Sequence, residues 1–439
     1  MRKVSDSKSA FLVIMVVVAG LPLSTGAPLG DAATKQSGNA ASSRNFQVLE
    51  QKDLPPQGLQ ISPSSYDFSK NPALLERIVE GPHGYFRFIN QMFAEAVCTR
   101  LEDDVKLLSI VNLHNDAHLE QYAITDRGRG ITDFDAATTG PAFLDLVRFG
   151  VSIHLACRAN GWEEHAAQMV DTFLSGYRTG LKDPDLTIPP PELVTRIRSH
   201  FTKDRTRTLV AAEKLMEPLE ISPQEFEEIK KQYGEQMAAQ FPKLPQHFFM
   251  IKKAGQFKLG IGSALDEKYL LRVEGSTKSP EDDLILEIKE VRVLHGISCI
   301  QQKEADPARI MLGQARISYK PYRYVGYAEF LRRKGYSRGK MFWIHAWDDN
   351  YQELSIRKSF QSPEDMKAIA YDVGFQLGRG HPKYIYEPYD SEARRKLLII
   401  LDEFREDLGR MMLDLTEQTI TAWRKFRAEV MKQKSHNRE

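Results

Sequence analysis

Two acidic clusters set 17 positions apart constrain this chain more than any other feature: Asp116, within His114 to Gln121 (HNDAHLEQ), and Asp133, within Asp133 to Asp135 (DFD). The run before the first cluster, Val105 to Leu113 (VKLLSIVNL), is apolar and of strand length, and it delivers the chain directly into His114 and Asp116. A second strand-like piece, Tyr122 to Thr125, is followed by a turn from Asp126 to Gly130, after which Ile131 and Thr132 lead into Asp133. The pattern predicts a hairpin flanked by carboxylates. Such a hairpin can present both acids to one site, with His114 packing the loop from behind. One acid can orient an acceptor hydroxyl and the other can hold a divalent cation on phosphate oxygens. His114 and His118 lack a third nearby histidine or cysteine, which argues against zinc.

The rest of the chain supplies enough material for a large two-lobed domain: 439 residues, 42% of them hydrophobic. The net charge is +1, so no nucleic-acid partner is expected. Arg2, Lys3 and Lys8 precede a charge-free, mostly apolar stretch from Ala10 to Leu23 and then small residues, the layout of a secretory signal peptide over 1–27. An uncleaved membrane anchor is the alternative, and a leader of no consequence the bland one; the first two predict export, periplasmic or extracellular. Residues 28–57 read as a flexible linker. Helical periodicity covers Asn71 to Asp103, Pro141 to Ala159, Trp162 to Leu181 and much of Pro189 to Met216, and Ser222-Pro223-Gln224-Glu225 is a capping box opening a helix to about Phe241. Strands are predicted at Phe257 to Gly262, Lys268 to Glu274, Leu284 to Val293 and Lys340 to Trp347, and helices again from Ser362 to about Leu377 and from Asp390 to about Lys432. Cys98, Cys157 and Cys299 are odd in number and far apart, which favours buried small side chains over a disulfide framework.

The HNDAHLEQ segment, ITDFD, Gly140-Pro141 and Asp145-Leu146 resemble aminoglycoside phosphotransferases and related kinase-like proteins, whose loop runs HGDxxxxN, then IDF or IDW, then GPxxxDL. A bacterial family of unknown function within that superfamily is closer still: His118, Asp135 and Arg148 match its HGDxHxxNFG and DFDxxxxGPxxxDLxR patterns, and Tyr85-Phe86-Arg87 is similar to an upstream element. The resemblance implies roles: Asp116 orients the acceptor, His114 and Asp145 support the loop, and Asp133, Gln121 and Asp135 face the metal. Gln121 stands where these families place asparagine, and Asn115 replaces the usual glycine.

A kinase also needs a glycine loop over the phosphates and a lysine reaching them. Both appear after the catalytic hairpin: Gly260, Gly262 and Ser263 in KLGIGS, then Lys289 at the end of Leu284 to Lys289 (LILEIK). Strand alternation puts Ile285, Glu287 and Lys289 on one face and Leu284, Leu286 and Ile288 on the other. Glu287 falls where kinases carry a small apolar residue against adenine. Gln314, Glu290 and Glu304 are candidate partners for Lys289. The fold expected is α+β, two-lobed, protein-kinase-like and circularly permuted, with a helical catalytic lobe (58–245), a β-rich nucleotide lobe (246–350) and C-terminal helices (351–439) completing the first. The function expected is an ATP- and Mg²⁺-dependent phosphotransferase acting on a small-molecule or protein acceptor. An exported pseudokinase used for binding, or an AMP transferase, are the alternatives, and a membrane partner enters only if the leader is uncleaved.

Overall fold

Helices form where apolar residues recur every three to four positions behind a capping group. The computed structural model describes residues 58–101, 108–219, 222–258, 261, 266–330, 339–384 and 390–436. The signal peptide, the linker and the loop residues Gly260, Gly262 and Ser263 lie outside them. Asn71 caps α1 (Pro72–Glu80) by accepting from the Leu74 amide, and α2 (Pro82–Phe88) and α3 (Asn90–Arg100) follow at once. The chain then forms β1 (Ile110–Leu113), the hairpin of β2 (Tyr122–Ile124) and β3 (Arg129–Ile131), and β4 (Thr138–Pro141), which closes back antiparallel on β1. Five helices come next: α4 (Phe143–Asn160), α5 (Ala166–Lys182), α6 (Glu192–Arg198), α7 (Arg205–Glu213) and α8 (Pro223–Gln240), the last behind the expected Ser222–Glu225 capping box.

The strand-rich stretch contains β5 (Ile251–Gln256), β6 (Lys268–Val273), β7 (Leu284–Glu290), then α9 (Pro307–Ile317), β8 (Arg323–Phe330) and β9 (Lys340–Ala346). These strands make one antiparallel sheet in the order β5-β6-β7-β9-β8. Its first strand precedes the segment expected from Phe257 onward, because pairing with β6 selects Ile251–Gln256 despite its weak apolar alternation. Leu284, Leu286 and Ile288 pack against Ile229, Tyr233 and Met237 of α8. On the opposite face, Ile285 and Leu270 are covered by Leu209 and Ala212 of α7, and the rest of that face is left for a cleft. The outer strand β8 is an edge, and α8 closes it: the Gln232 amide pairs with both backbone groups of Glu329, and the Gln236 amide with both of Tyr327.

A two-residue strand, β10 (Gln352–Glu353), joins the β2–β3 hairpin in the order β10-β2-β3, and α10 (Pro363–Gly380), α11 (Asp390–Glu403) and α12 (Arg405–His436) follow. The result is a mixed α+β architecture, 54% helical and 14% strand among the described residues. Cysteine spacing misled: Cys98 of α3 and Cys299 form a disulfide, their Cα atoms 5.4 Å apart across 201 residues, and only Cys157 is a free, buried thiol. Separation along a chain carries no information about proximity in the fold.

Helices α5 and α10 meet through two glycine pairs, Gly176 and Gly180 on one and Gly374 and Gly378 on the other. A Cβ on Gly374 would run into the Phe173 carbonyl, whereas one on Gly234, in the middle of α8, would meet nothing within 4 Å. Gly374→Ala should therefore lower stability by about 1–3 kcal/mol through forced separation of the helices. Gly234→Ala should raise it by about 0.5–1 kcal/mol through helix propensity. Denaturant melts of the two variants give opposite signs if this packing holds.

Candidate active site

The hairpin is held from behind by α10. Asp372 accepts from Arg129 (2.9 and 3.1 Å) and from the Tyr122 hydroxyl (2.6 Å), while the Gln376 amide bonds both backbone groups of Ile131. That fixes the two loops at the hairpin's ends. In the first, Asn115 takes a left-handed backbone (φ 59°), a conformation asparagine tolerates better than most side chains and the reason it can stand in a glycine's place. The buried Asp145 at the start of α4 accepts from the backbone amides of His114 and Asn115, both at 2.7 Å, and from His381 Nε2 at 3.1 Å, whose other ring nitrogen meets the Tyr177 hydroxyl. His114 Nε2 lies 2.7 Å from the Thr132 carbonyl and its Nδ1 accepts from the Asp116 amide, so the imidazole carries its proton on Nε2 and ties the two loops together.

Asp116 gives one carboxylate oxygen to Arg148, whose Nε and Nη2 donate at 2.9 and 2.5 Å; this guanidinium is itself buried over the Phe86 ring. The second oxygen of Asp116 faces Gln121 Nε2 at 3.4 Å, and the same amide nitrogen stands 3.4 Å from Asp133 Oδ2. Gln121 Oε1 is buried without a hydrogen-bond partner among the described residues. Asp133 also has a left-handed backbone (φ 63°), and its amide donates to the Tyr322 hydroxyl.

Lys289, from the third strand of the five-stranded sheet, reaches across to both acids of DFD: its Nζ lies 2.5 Å from Asp133 and 2.5 Å from Asp135. Asp135 also accepts from Trp343 Nε1 at 2.9 Å. Both of its oxygens are thus engaged by protein donors, a geometry that positions the lysine. Gln314 does not reach Lys289, since its Oε1 accepts from the Tyr322 amide. Glu290 turns to Lys340 and to the Glu267 amide, and Glu304 offers its carbonyl to Arg309. Arg309, which the sequence did not single out, clamps the DFD turn by donating to the carbonyls of Asp135, Ala137 and Arg292. No local pattern signals that role. Lys268 had a signal that went unread: it pairs in register with Lys289 across β6 and β7 and so shares its face.

The electrostatics follow from this crowding. Burial works against a charged Lys289, but Asp133, Asp135 and Glu287 more than offset it and hold the ammonium well above the usual lysine range. Burial raises both acids; Lys289 reverses this for Asp133 and keeps it ionised, whereas the charge of Asp133 adds to burial in pushing Asp135 up. For Glu287 burial is likewise outweighed, by Lys289, by His345 and by the Trp347 Nε1 donor at 2.8 Å, bringing its carboxyl down to about 2. A carboxyl depressed in the folded state stabilises fully above its unfolded value and loses that contribution as pH falls through the folded one. Glu287 should therefore contribute on the order of 3 kcal/mol near neutral pH, lost between about pH 4.5 and 2. Melting temperatures of wild type and Glu287→Gln should converge over that window; parallel curves would refute the assignment.

Asp116, Gln121, Asp133, Asp135, Glu287, Lys289 and Lys268 open on one cleft of about 890 Å³, which Phe257, Ile261 and Trp347 also line. Among the described residues no group of three or more His, Cys, Asp or Glu side chains is arranged to hold a metal by itself. The Asp133 carboxylate and the Gln121 amide oxygen are donor types that a hard cation such as Mg²⁺ takes, with water and phosphate completing its shell, although here the amide turns its nitrogen toward Asp133. Also among the described residues, no helix is long and apolar enough to cross a membrane.

A family model described as an uncharacterized protein conserved in bacteria (DUF2252) matches residues 70–214 and 191–429, which include every element of this cleft. The chain belongs to the DUF2252 family. No curated protein and no solved structure matches the chain. Within this DUF2252 chain, the hairpin acids and the strand lysine both fall in matched segments.

Proposed function

We propose that this DUF2252 protein is an ATP- and Mg²⁺-dependent phosphotransferase with a circularly permuted kinase-like fold, residues 58–245 and 351–439 forming the catalytic lobe and 246–350 the nucleotide lobe. The observation that carries the reading is the meeting of Lys289 with Asp133, 2.5 Å apart although 156 residues separate them. In kinases the phosphate lysine stands on the third strand of its sheet with a helix following, and the metal-binding aspartate opens a DFG turn. Here β7 is the third strand, α9 follows it, and DFD supplies the turn.

Asp133 and Gln121 would hold Mg²⁺, whose charge when bound neutralises that of the phosphates. Lys289, steered by Asp135 and Trp343, would leave Asp133 for the phosphate oxygens. The Asp116 oxygen that faces Gln121, and not Arg148, would orient the acceptor hydroxyl. The hydroxyl oxygen bonds to the γ-phosphorus, the bond to the β,γ-bridging oxygen breaks with its electrons departing on ADP, and the hydroxyl proton passes by Asp116 to solvent. The Cys98–Cys299 disulfide supports the export expected from the leader, since such bridges persist in oxidising compartments.

Saturating Mg²⁺·ATP should raise the melting temperature by several degrees, about 2.7 kcal/mol of linkage at a hundredfold excess over Kd. Asp133→Ala and Lys289→Met should abolish most of that shift. If no nucleotide shifts the wild type with Mg²⁺ or Mn²⁺, the reading fails. The glutamine at 121 favours a pseudokinase as the second reading, which predicts binding without product. Release of pyrophosphate in place of ADP would mark AMP transfer.

A further inference from the structure

Among the described residues, the hydrogen-bonding demand around Asp116 is not met. Arg87 gives Nη1 to Glu120 at 2.9 Å, but its Nε is buried without a hydrogen-bond partner among the described residues. Asn90 donates its amide to the Asn115 carbonyl, while its Oδ1 is orphaned in the same way. Beneath them the rings of His83 and His118, 5.5 Å apart, offer four nitrogens with no hydrogen-bond partner among the described residues. Buried polar atoms are nearly always satisfied, and Arg87 and Asn90, unlike the two histidines, line the cleft, so their unmet atoms mark a place where another molecule belongs. Arg87, Asn90 and Asp116 line the cleft together, and Arg292, ion-paired to Asp266, brings a second guanidinium to it.

Two guanidiniums suit a carboxylate or phosphate, for which their planar donor sets are shaped. A lone amide oxygen beside the acceptor-orienting acid suits a hydroxyl. We propose that the acceptor is a small hydroxylated anion, its carboxylate or phosphate held by Arg87 and Arg292 and its reacting hydroxyl placed between Asn90 and Asp116. The proposal rests on the phosphotransferase reading but names a subsite that can be probed without it.

The test uses the full mature chain and two matched sets of probes: glycerol, glycerate and glycerol 3-phosphate; glucose, gluconate and glucose 6-phosphate. An anionic member should raise the melting temperature even without nucleotide, and with Mg²⁺·ATP it should stimulate ADP release with kcat/KM about tenfold or more above its neutral parent. Comparing carboxylate with phosphate within each set tells which anion the site takes. Arg87→Lys keeps the charge but removes the buried Nε, so KM for that acceptor should rise about tenfold while kcat stays within about twofold. Neutral members acting as well as their anionic partners, or an unchanged KM in Arg87→Lys, would overturn the proposal. If nucleotide binds but no anion in either set binds or stimulates, the acceptor class is wrong and the phosphotransferase reading stands. If anions bind and no nucleotide does, the subsite stands and that reading falls.

Discussion

Replacing Asp116 by asparagine is expected to lower turnover by about 10²–10⁴-fold, the range over which a positioned acid or base contributes to proton transfer. Asparagine is the informative substitution because its carbonyl oxygen can still accept from Arg148, which otherwise would be left as a buried, unpaired cation beneath the loop. The carboxylate oxygen that faces the cleft is what the change removes. The melting shift produced by Mg²⁺·ATP should survive, since Asp133 and Lys289 are untouched. A variant that keeps full turnover would show that Asp116 has another task. One that loses nucleotide binding along with activity would show that the loop, and not the chemistry, had been damaged.

The largest effect on stability is expected at Asp145. Its carboxylate, wholly buried, accepts from two backbone amides and from His381. Asp145→Ala leaves both amides and the imidazole without an acceptor where water cannot replace it, a loss of about 3–5 kcal/mol. The corresponding fall in melting temperature is on the order of 10 °C. Asp145→Asn should lose less, because one amide keeps an acceptor while the other faces an N–H. A loss in Asp145→Ala no greater than that of an exposed acid such as Glu392→Ala would show that the loop does not depend on this clamp.

The secondary structure around the hairpin was legible because its signals are local. Alternation, the Asp126 to Gly130 turn and the apolar run into His114 place β1, β2 and β3 within a few residues of where they lie. The Ser222–Glu225 box and the Ser362-Pro363 start likewise act within a single turn and open their helices at the expected positions. The facing of β7 also follows from alternation, and its apolar set does pack into the sheet's core. Elements stabilised mainly by partners were less legible. Strand β5 is shifted from its expected place, and β8 was not foreseen, because each is selected by pairing with a neighbour.

By itself, then, the amino-acid order determined where the locally signalled helices and strands start and that two acids flank one hairpin. Only the tertiary structure decided which residues meet. It brought Lys289 onto Asp133 and Asp135, gave Asp135 to Trp343, turned Gln314 toward Tyr322, and joined Cys98 to Cys299. It also set the glycines of α5 against those of α10. The physical reason is range: backbone propensity and capping act over a few residues, whereas an ion pair or a buried contact is chosen by the packing of segments far apart in the chain.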